Sequence, residues 1–307
     1  MGTSWCVKLV APPRADLHAL HATIQGRLDV VVAQMSSWET DSDLSRFNRA
    51  AAGTWHALPD EFLEVLSCAL EIARESDGAY DPTVGALVEA WGFGAARQAY
   101  RIPADAMVSA ARADAGWRRL SLRREAPSAL QPGRIQLDLS AIAKGYGVDL
   151  VARHLRDIGI SAALVEVGGE IYGYGCKPDG TAWKVLVEGS PDADAVDADV
   201  PCVLALDGIA VATSGDHWHA FEQQGTRYSH TLDPRTGKPV ENAPASVTVI
   251  ANNAMQADAW ATALTVMGVD AGYEFAQLRN LAVRFVSRTG NRLDARITRA
   301  FQARLPA

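Results

Sequence analysis

The chain has 307 residues, 48% hydrophobic and 21% charged, with a formal net charge of −7. These proportions describe a globular protein with a sizeable core, built as one large domain or two small ones. The acidic balance excludes a broad nucleic-acid surface or a polybasic membrane patch, and no apolar run is long enough to span a bilayer.

Residues 4–10 alternate as a strand does and end at Pro12-Pro13. From Asp16 to Met35 the apolar residues Leu17, Leu20, Ile24, Leu28, Val31 and Met35 recur at steps of three and four, which predicts an amphipathic helix. A Ser/Asp-rich loop follows at 36–45. Pro59 then opens a second helix with Phe62, Leu66, Leu70 and Ala73 on its apolar face. Segment 76–94 is dense in glycine, and 103–115 reads as a third helix. Beyond Leu155 short β-type runs are predicted at 163–167, 183–188, 202–206, 209–213, 246–250 and 281–286, with helices around 256–267 and 271–279. Helices and strands are mixed without a regular βα repeat, so the fold class is α+β. Residues 191–201, with four aspartates, read as an exposed loop.

The four cysteines are widely spaced and form no CxxC pair, which reads as buried free thiols and argues against a zinc site or disulfide framework. The opening MGTSWCVKLV does not read as a secretory leader. A cytoplasmic location is expected for the chain as written, or a periplasmic or membrane-anchored one if the gene carries an upstream signal.

The stretch 137–149, LDLSAIAKGYGVD, sets Asp138 and Lys144 in a small, apolar sequence. A buried charge is costly unless it is paired or meets a ligand. Alternation at Ile135, Leu137 and Leu139 gives way to a helical run, and such a strand-to-helix junction offers free N–H groups that suit anions. A capped helix with a salt-bridged lysine explains the same residues equally well. Gly168-Gly169-Glu170 directly follows a predicted strand, as either a close approach for a ligand or a tight turn. The segment 213–237 gathers His217, His219, His230, Asp216, Asp233 and Arg235. His217 and His219 lack a clear third metal ligand nearby, whereas His230, beside a Pro/Gly-punctuated loop, suits a positioned general base. Asp258 and Thr262, four apart, share a helix face and offer half a shell of oxygens to Mg²⁺.

Seven blocks together resemble, in order, the ApbE family of FAD:protein FMN transferases: MGTSW at the start, MSSWETDSDLSRFN at 35–48, DGAYDPTVGALVEAWGFG at 77–94, LDLSAIAKGYGVD at 137–149, LVEVGGEIYGYG at 164–175, ATSGDHWHAFEQQGTRYSHTLDPRTGKPV at 212–240 and ADAWATAL at 257–264. The resemblance implies a single domain over 1–307 that binds FAD with Mg²⁺ as cofactor. It implies transfer of the FMN half to a Thr or Ser hydroxyl of an acceptor flavoprotein, with release of AMP. Flavin and adenine contacts would fall to Met1, Trp38, Ala79, Tyr80, Asp81, Asp138, Lys144 and Leu232. The metal would be held by the Ala141 carbonyl, Asp258 and Thr262, and His230 would take the proton from the attacking hydroxyl. Lys144 would add positive charge at the pyrophosphate. Two departures stand out: Glu166 where the family usually has Asn, and His217-Trp218-His219 where Tyr and Arg are more common. An FAD pyrophosphatase and a non-catalytic FAD-binding protein are the alternatives, and an intact Asp258 and Thr262 favour chemistry over storage.

Overall fold

A computed structural model describes residues 2–95, 102–187, 201–215, 220–223, 226–241, 243–289 and 292–305. Met1, Asp216, His217-Trp218-His219 and residues 188–200 lie outside the described residues. The chain divides into two compact units, one of Met1–Leu28, Lys144–Trp218 and Asn242–Ala307, the other of Asp29–Ala143 and His219–Glu241.

The first unit is organised by a seven-stranded sheet. Its strands are β1 (Trp5–Leu9), β2 (Ala163–Val167), β3 (Glu170–Tyr174), β4 (Ile209–Gly215), β5 (Ser246–Ala251), β6 (Ala282–Thr289) and β7 (Arg292–Ile297). They lie in chain order across the sheet and every pairing is antiparallel. Mixed helix with antiparallel sheet is the α+β class that the sequence predicts. Central strands β4 and β5 are buried on both faces. Ile209 and Val211 join one hydrophobic cluster with Leu204, Leu206 and Val185 from a two-stranded hairpin of Trp183–Val187 and Cys202–Leu206. By strand alternation Ala210 and Ala212 point to the other face, where helix α3 (Ala254–Met267) packs on β4 and β5. That helix is alanine-rich and buried on nearly every side, so small residues on both elements let it lie close to the sheet.

Helix α1 (Leu17–Met35) and helix α2 (Ala143–Asp157) complete the elements that matter for the site. Gly145, in the first turn of α2, lies so near the start of α3 that a Cβ there would stand 2.2 Å from the Ala254 carbonyl oxygen. This closeness is used reciprocally. Asp149 of α2 accepts from Ala254 N at 2.8 Å and Met255 N at 2.9 Å, while Asp258 of α3 accepts from Gly145 N at 3.1 Å. Each helix supplies a carboxylate to the unsatisfied N–H groups at the start of the other. Asn253 adds a conventional N-cap to α3, accepting from Gln256 N at 2.8 Å.

The second unit holds the helix Asp60–Glu75, whose N-cap position is Pro59, together with Asp105–Asp114 and a three-stranded sheet. Segment 135–139 alternates in burial as the sequence predicts, but it makes only an isolated bridge, Val84 with Gln136. The backbone groups of Leu137 are met instead by Asn48, which donates to Leu137 O at 3.0 Å and accepts from Leu137 N at 2.7 Å, while Asp138 N donates to Pro82 O at 2.8 Å. The strand expected there is therefore an extended segment held by a side chain. Two short helices, Asp43–Asn48 and Gly85–Ala90, occupy stretches read as loop and glycine-rich segment. Of the cysteines only Cys68 is buried: Cys6 lies on the solvent side of edge strand β1 and Cys176 is exposed, a correction to the expectation of buried thiols. Among the described residues no helix is long and apolar enough to cross a membrane.

Loss of the Asp149 carboxylate leaves two N–H groups of α3 without their acceptor. Asp149→Ala is expected to cost about 1–2 kcal/mol, a fall of roughly 2–6 °C in melting temperature by calorimetry. An unchanged melting temperature contradicts the reciprocal capping.

Candidate functional site

The first unit concentrates charge at the start of α2. Lys144 Nζ lies 3.3 Å from Glu170 Oε1 and 3.4 Å from both Asp258 oxygens. The lysine side chain is 28% exposed, but those of Glu170 and Asp258 are only 5% and 7% exposed, so two buried carboxylates face one partly exposed ammonium. Glu170 reaches this place through the hairpin between β2 and β3. Gly168 and Gly169 have φ of +63° and +101°, the two positive values of a two-residue hairpin turn. The doubled glycine is thus a tight turn, and Gly168 also permits a close approach: a Cβ there would meet Thr3 at 2.9 Å and Lys144 Cδ at 3.3 Å. Register pairs Val167 with Glu170 and Glu166 with Ile171. Directly opposed residues share a face, so Glu170 lies on the face of buried Val167 and Glu166 on the other.

The electrostatics follow from this crowding. Burial, aided by the neighbouring Asp258 charge, pushes the Glu170 carboxyl up to about 8, against the opposing pull of Lys144. Burial alone would lower Lys144, but the two carboxylates outweigh it and hold the ammonium well above its ordinary value. Among the described residues Glu170 Oε2 is buried with no hydrogen-bond partner. The donor set is all oxygen, which fits a hard divalent cation such as Mg²⁺. Thr262, one turn beyond Asp258 on α3, is half-buried and offers a hydroxyl on the same side. No group of three His, Cys, Asp or Glu side chains arranged for a metal occurs among the described residues; a threonine hydroxyl and a backbone carbonyl are not donors of that kind.

The other expected site residues among those described lie in the second unit. Trp38 is 58% exposed and presents a flat face, while Ala79, Tyr80 and Leu232 are buried. Asp81 is buried and its carboxylate accepts from Thr83 N at 2.8 Å, Thr83 Oγ1 at 2.6 Å and Trp117 N at 3.1 Å. Burial raises it, and those hydrogen bonds oppose the rise. Its evident work is to close its own turn. Asp138 accepts from Ser140 N at 2.9 Å and Ser140 Oγ at 2.5 Å, fixing the bend before α2. Ala141, in the turn that follows, is half-buried. His230 is half-buried, with the Phe93 ring edge-on at 6.4 Å between centroids. Asp233 and Arg235 pair with each other, Nε to Oδ1 at 2.9 Å and Nη2 to Oδ2 at 2.9 Å, which assigns both to the turn after His230.

Sequence reasoning thus identified Lys144 and Asp258 without their contact, named Glu170 only as part of the Gly168-Gly169-Glu170 turn, and gave Asp149 no role. A signal for Glu170 was present: the first residue after a Gly-Gly hairpin faces as the last residue before it does, and Val167 is apolar.

Comparison with known proteins places these residues in context. The sequence profile of the ApbE family matches residues 1–285. The chain is 39% identical to an FAD:protein FMN transferase of Vibrio cholerae, over 94% of this chain and 86% of that protein. It is 33% identical to the FAD:protein FMN transferase of Escherichia coli K12, over 95% and 83%. Among solved structures, the flavinyl transferase ApbE of Pseudomonas stutzeri, in its apo form, superposes with a TM-score of 0.92 at 36% identity, covering 100% of this chain and 95% of that one. The flavin transferase ApbE of Vibrio cholerae superposes with a TM-score of 0.90 at 35% identity, covering 99% and 96%.

The pH dependence of stability reports on the cluster. Native Glu170 keeps its proton up to about pH 8, whereas an unfolded glutamate loses it near 4.5. Its contribution to stability is therefore complete below 4.5 and is lost as pH rises towards 8. Relative to wild type, the melting temperature of Glu170→Gln is expected to improve steadily from pH 5 to pH 8 and then level off. A difference independent of pH contradicts this assignment.

Proposed function

The chain belongs to the ApbE family, and from that premise we propose that it is a Mg²⁺-dependent FAD:protein FMN transferase, with residues 1–307 acting as one functional domain. The observation that carries the proposal is the buried cluster of Asp258, Glu170 and Lys144 at the start of α2. A protein that merely stored FAD has no need to bury two carboxyl groups beside one lysine. In this reading Asp258 and Thr262 hold the cation, with the Ala141 carbonyl as the third protein oxygen. Mg²⁺ when bound would neutralise pyrophosphate charge and polarise the phosphorus centre.

The chain's own residues do the rest. Trp38 offers its exposed face to a flavin or adenine ring, and the further flavin and adenine contacts are assigned to Met1, Ala79, Tyr80, Asp81, Asp138 and Leu232. Lys144 adds a fixed positive charge for the pyrophosphate. A Thr or Ser hydroxyl of the acceptor flavoprotein attacks the flavin-side phosphorus. A phosphoester P–O bond forms, the bond to the bridging oxygen breaks, and AMP leaves with that oxygen. His230 takes the hydroxyl proton, the task for which a half-buried imidazole beside a turn is suited.

Incubation with FAD, Mg²⁺ and an acceptor carrying a Thr in an [S/T]GA[S/T]-type motif tests the proposal, followed by flavin fluorescence of the denatured acceptor and by AMP release. Covalent fluorescence is expected with wild type and none with Asp258→Ala. AMP release with no labelling of any acceptor would mean hydrolysis and would overturn transfer. His230→Ala is expected to slow labelling by ~10²–10⁴-fold while FAD affinity changes little. A loss confined to FAD binding argues against a base.

A further inference from the structure

The ammonium of Lys144 stands almost equally far from three carboxylate oxygens, 3.3 Å from Glu170 Oε1 and 3.4 Å from Oδ1 and from Oδ2 of Asp258. Charge-assisted hydrogen bonds usually close to about 2.7–2.9 Å. The lysine is therefore shared between two carboxylates and committed to neither. It also straddles the two oxygens that a cation on Asp258 would take. Gly168 leaves room for the lysine stem, since a Cβ there would stand only 3.3 Å from Lys144 Cδ. Glu170 is the second carboxylate beside the ammonium, and its Oε2 is buried with no hydrogen-bond partner among the described residues.

We propose that Glu170 is the positioning residue for Lys144, the acceptor that keeps the ammonium at the start of α2 when a divalent cation takes Asp258. The inference rests on the assignment of Asp258 as a metal ligand made above. Two like-charged cations cannot share the Asp258 carboxylate at contact distance without strong repulsion. Metal entry therefore pushes Lys144 off Asp258, and Glu170 turns that push into a small shift within the site. Without Glu170 the lysine would swing out to solvent, where the flexible side chain of a lysine prefers to hold its charge. The arrangement delivers both positive charges to one place, as a pyrophosphate substrate requires.

Amine reactivity reads the position of Lys144 directly, without turnover. The FAD-free protein is treated at pH 8.5 with the N-hydroxysuccinimide ester of acetic acid, with and without Mg²⁺, and Lys144 acetylation is followed by peptide mass spectrometry. Slow labelling is expected for wild type in both conditions. Glu170→Gln is expected to label slowly without Mg²⁺ and several-fold faster with it, because Asp258 no longer holds the lysine. Glu170→Asp, which keeps the charge but draws it back by one methylene, is expected to fall between the two and serves if the glutamine variant does not fold. Equal labelling of wild type and both variants in the presence of Mg²⁺ overturns the proposal. Calorimetric titration of Mg²⁺ into wild type and Asp258→Ala separates the underlying assumption: binding that survives the alanine change overturns the metal-ligand assignment itself, whatever the labelling does.

Discussion

The exchange of carboxylates between α2 and α3 is the interaction on which the rest of the first unit depends. Asp149 closes the start of α3, and Asp258 accepts from the start of α2. The exchange needs the helices to approach at Gly145, where a side chain would collide with the Ala254 carbonyl. It also needs α3 to sit close on the sheet, and the small residues Ala210 and Ala212 of β4 permit that. A helix start carries partial positive charge, so an Asp258 carboxylate buried there is stabilised even before Lys144 is counted. The fold thus holds a reactive oxygen donor in a place where it would otherwise be too costly to bury.

Glu170 changes the balance of that corner. With one ammonium against two buried carboxylates, the metal-free protein holds a charge arrangement that a proton or a cation can relieve. Proton uptake by Glu170 is the relief available to the protein alone, and burial, with the Asp258 charge beside it, holds its carboxyl far above the usual range. A divalent cation is the relief available in the presence of ligand. In the proposed reading the two outcomes would link the stability of the metal-free protein to the binding of an anionic substrate.

Much of this was legible in the sequence where the signal is local. Helix α1 follows from steps of three and four, strand β2 begins and ends where its apolar run does, and Asp258 with Thr262 was visible as a pair four apart. What was not legible depends on distant partners. Gly145 and Asp258 are 113 positions apart, and so are the chemistry and the support it rests on. Nothing in 137–149 announces that Asp149 caps a helix a hundred residues later, or that Asn48 takes the place of a neighbouring strand beside Leu137. Asp81 illustrates a second kind of distance: the family block marks the carboxylate, but not that its oxygens accept from Thr83 and Trp117. A motif marks where a residue matters without separating contact from support.

The central claim is that the Asp258 corner seats a divalent cation. Crystals soaked in Mn²⁺, with data collected to exploit its anomalous scattering, test that claim most directly. The account predicts one strong anomalous peak within bonding distance of an Asp258 oxygen and the Thr262 hydroxyl, with Lys144 turned towards Glu170. A peak elsewhere, with Lys144 still bridging both carboxylates, would contradict it.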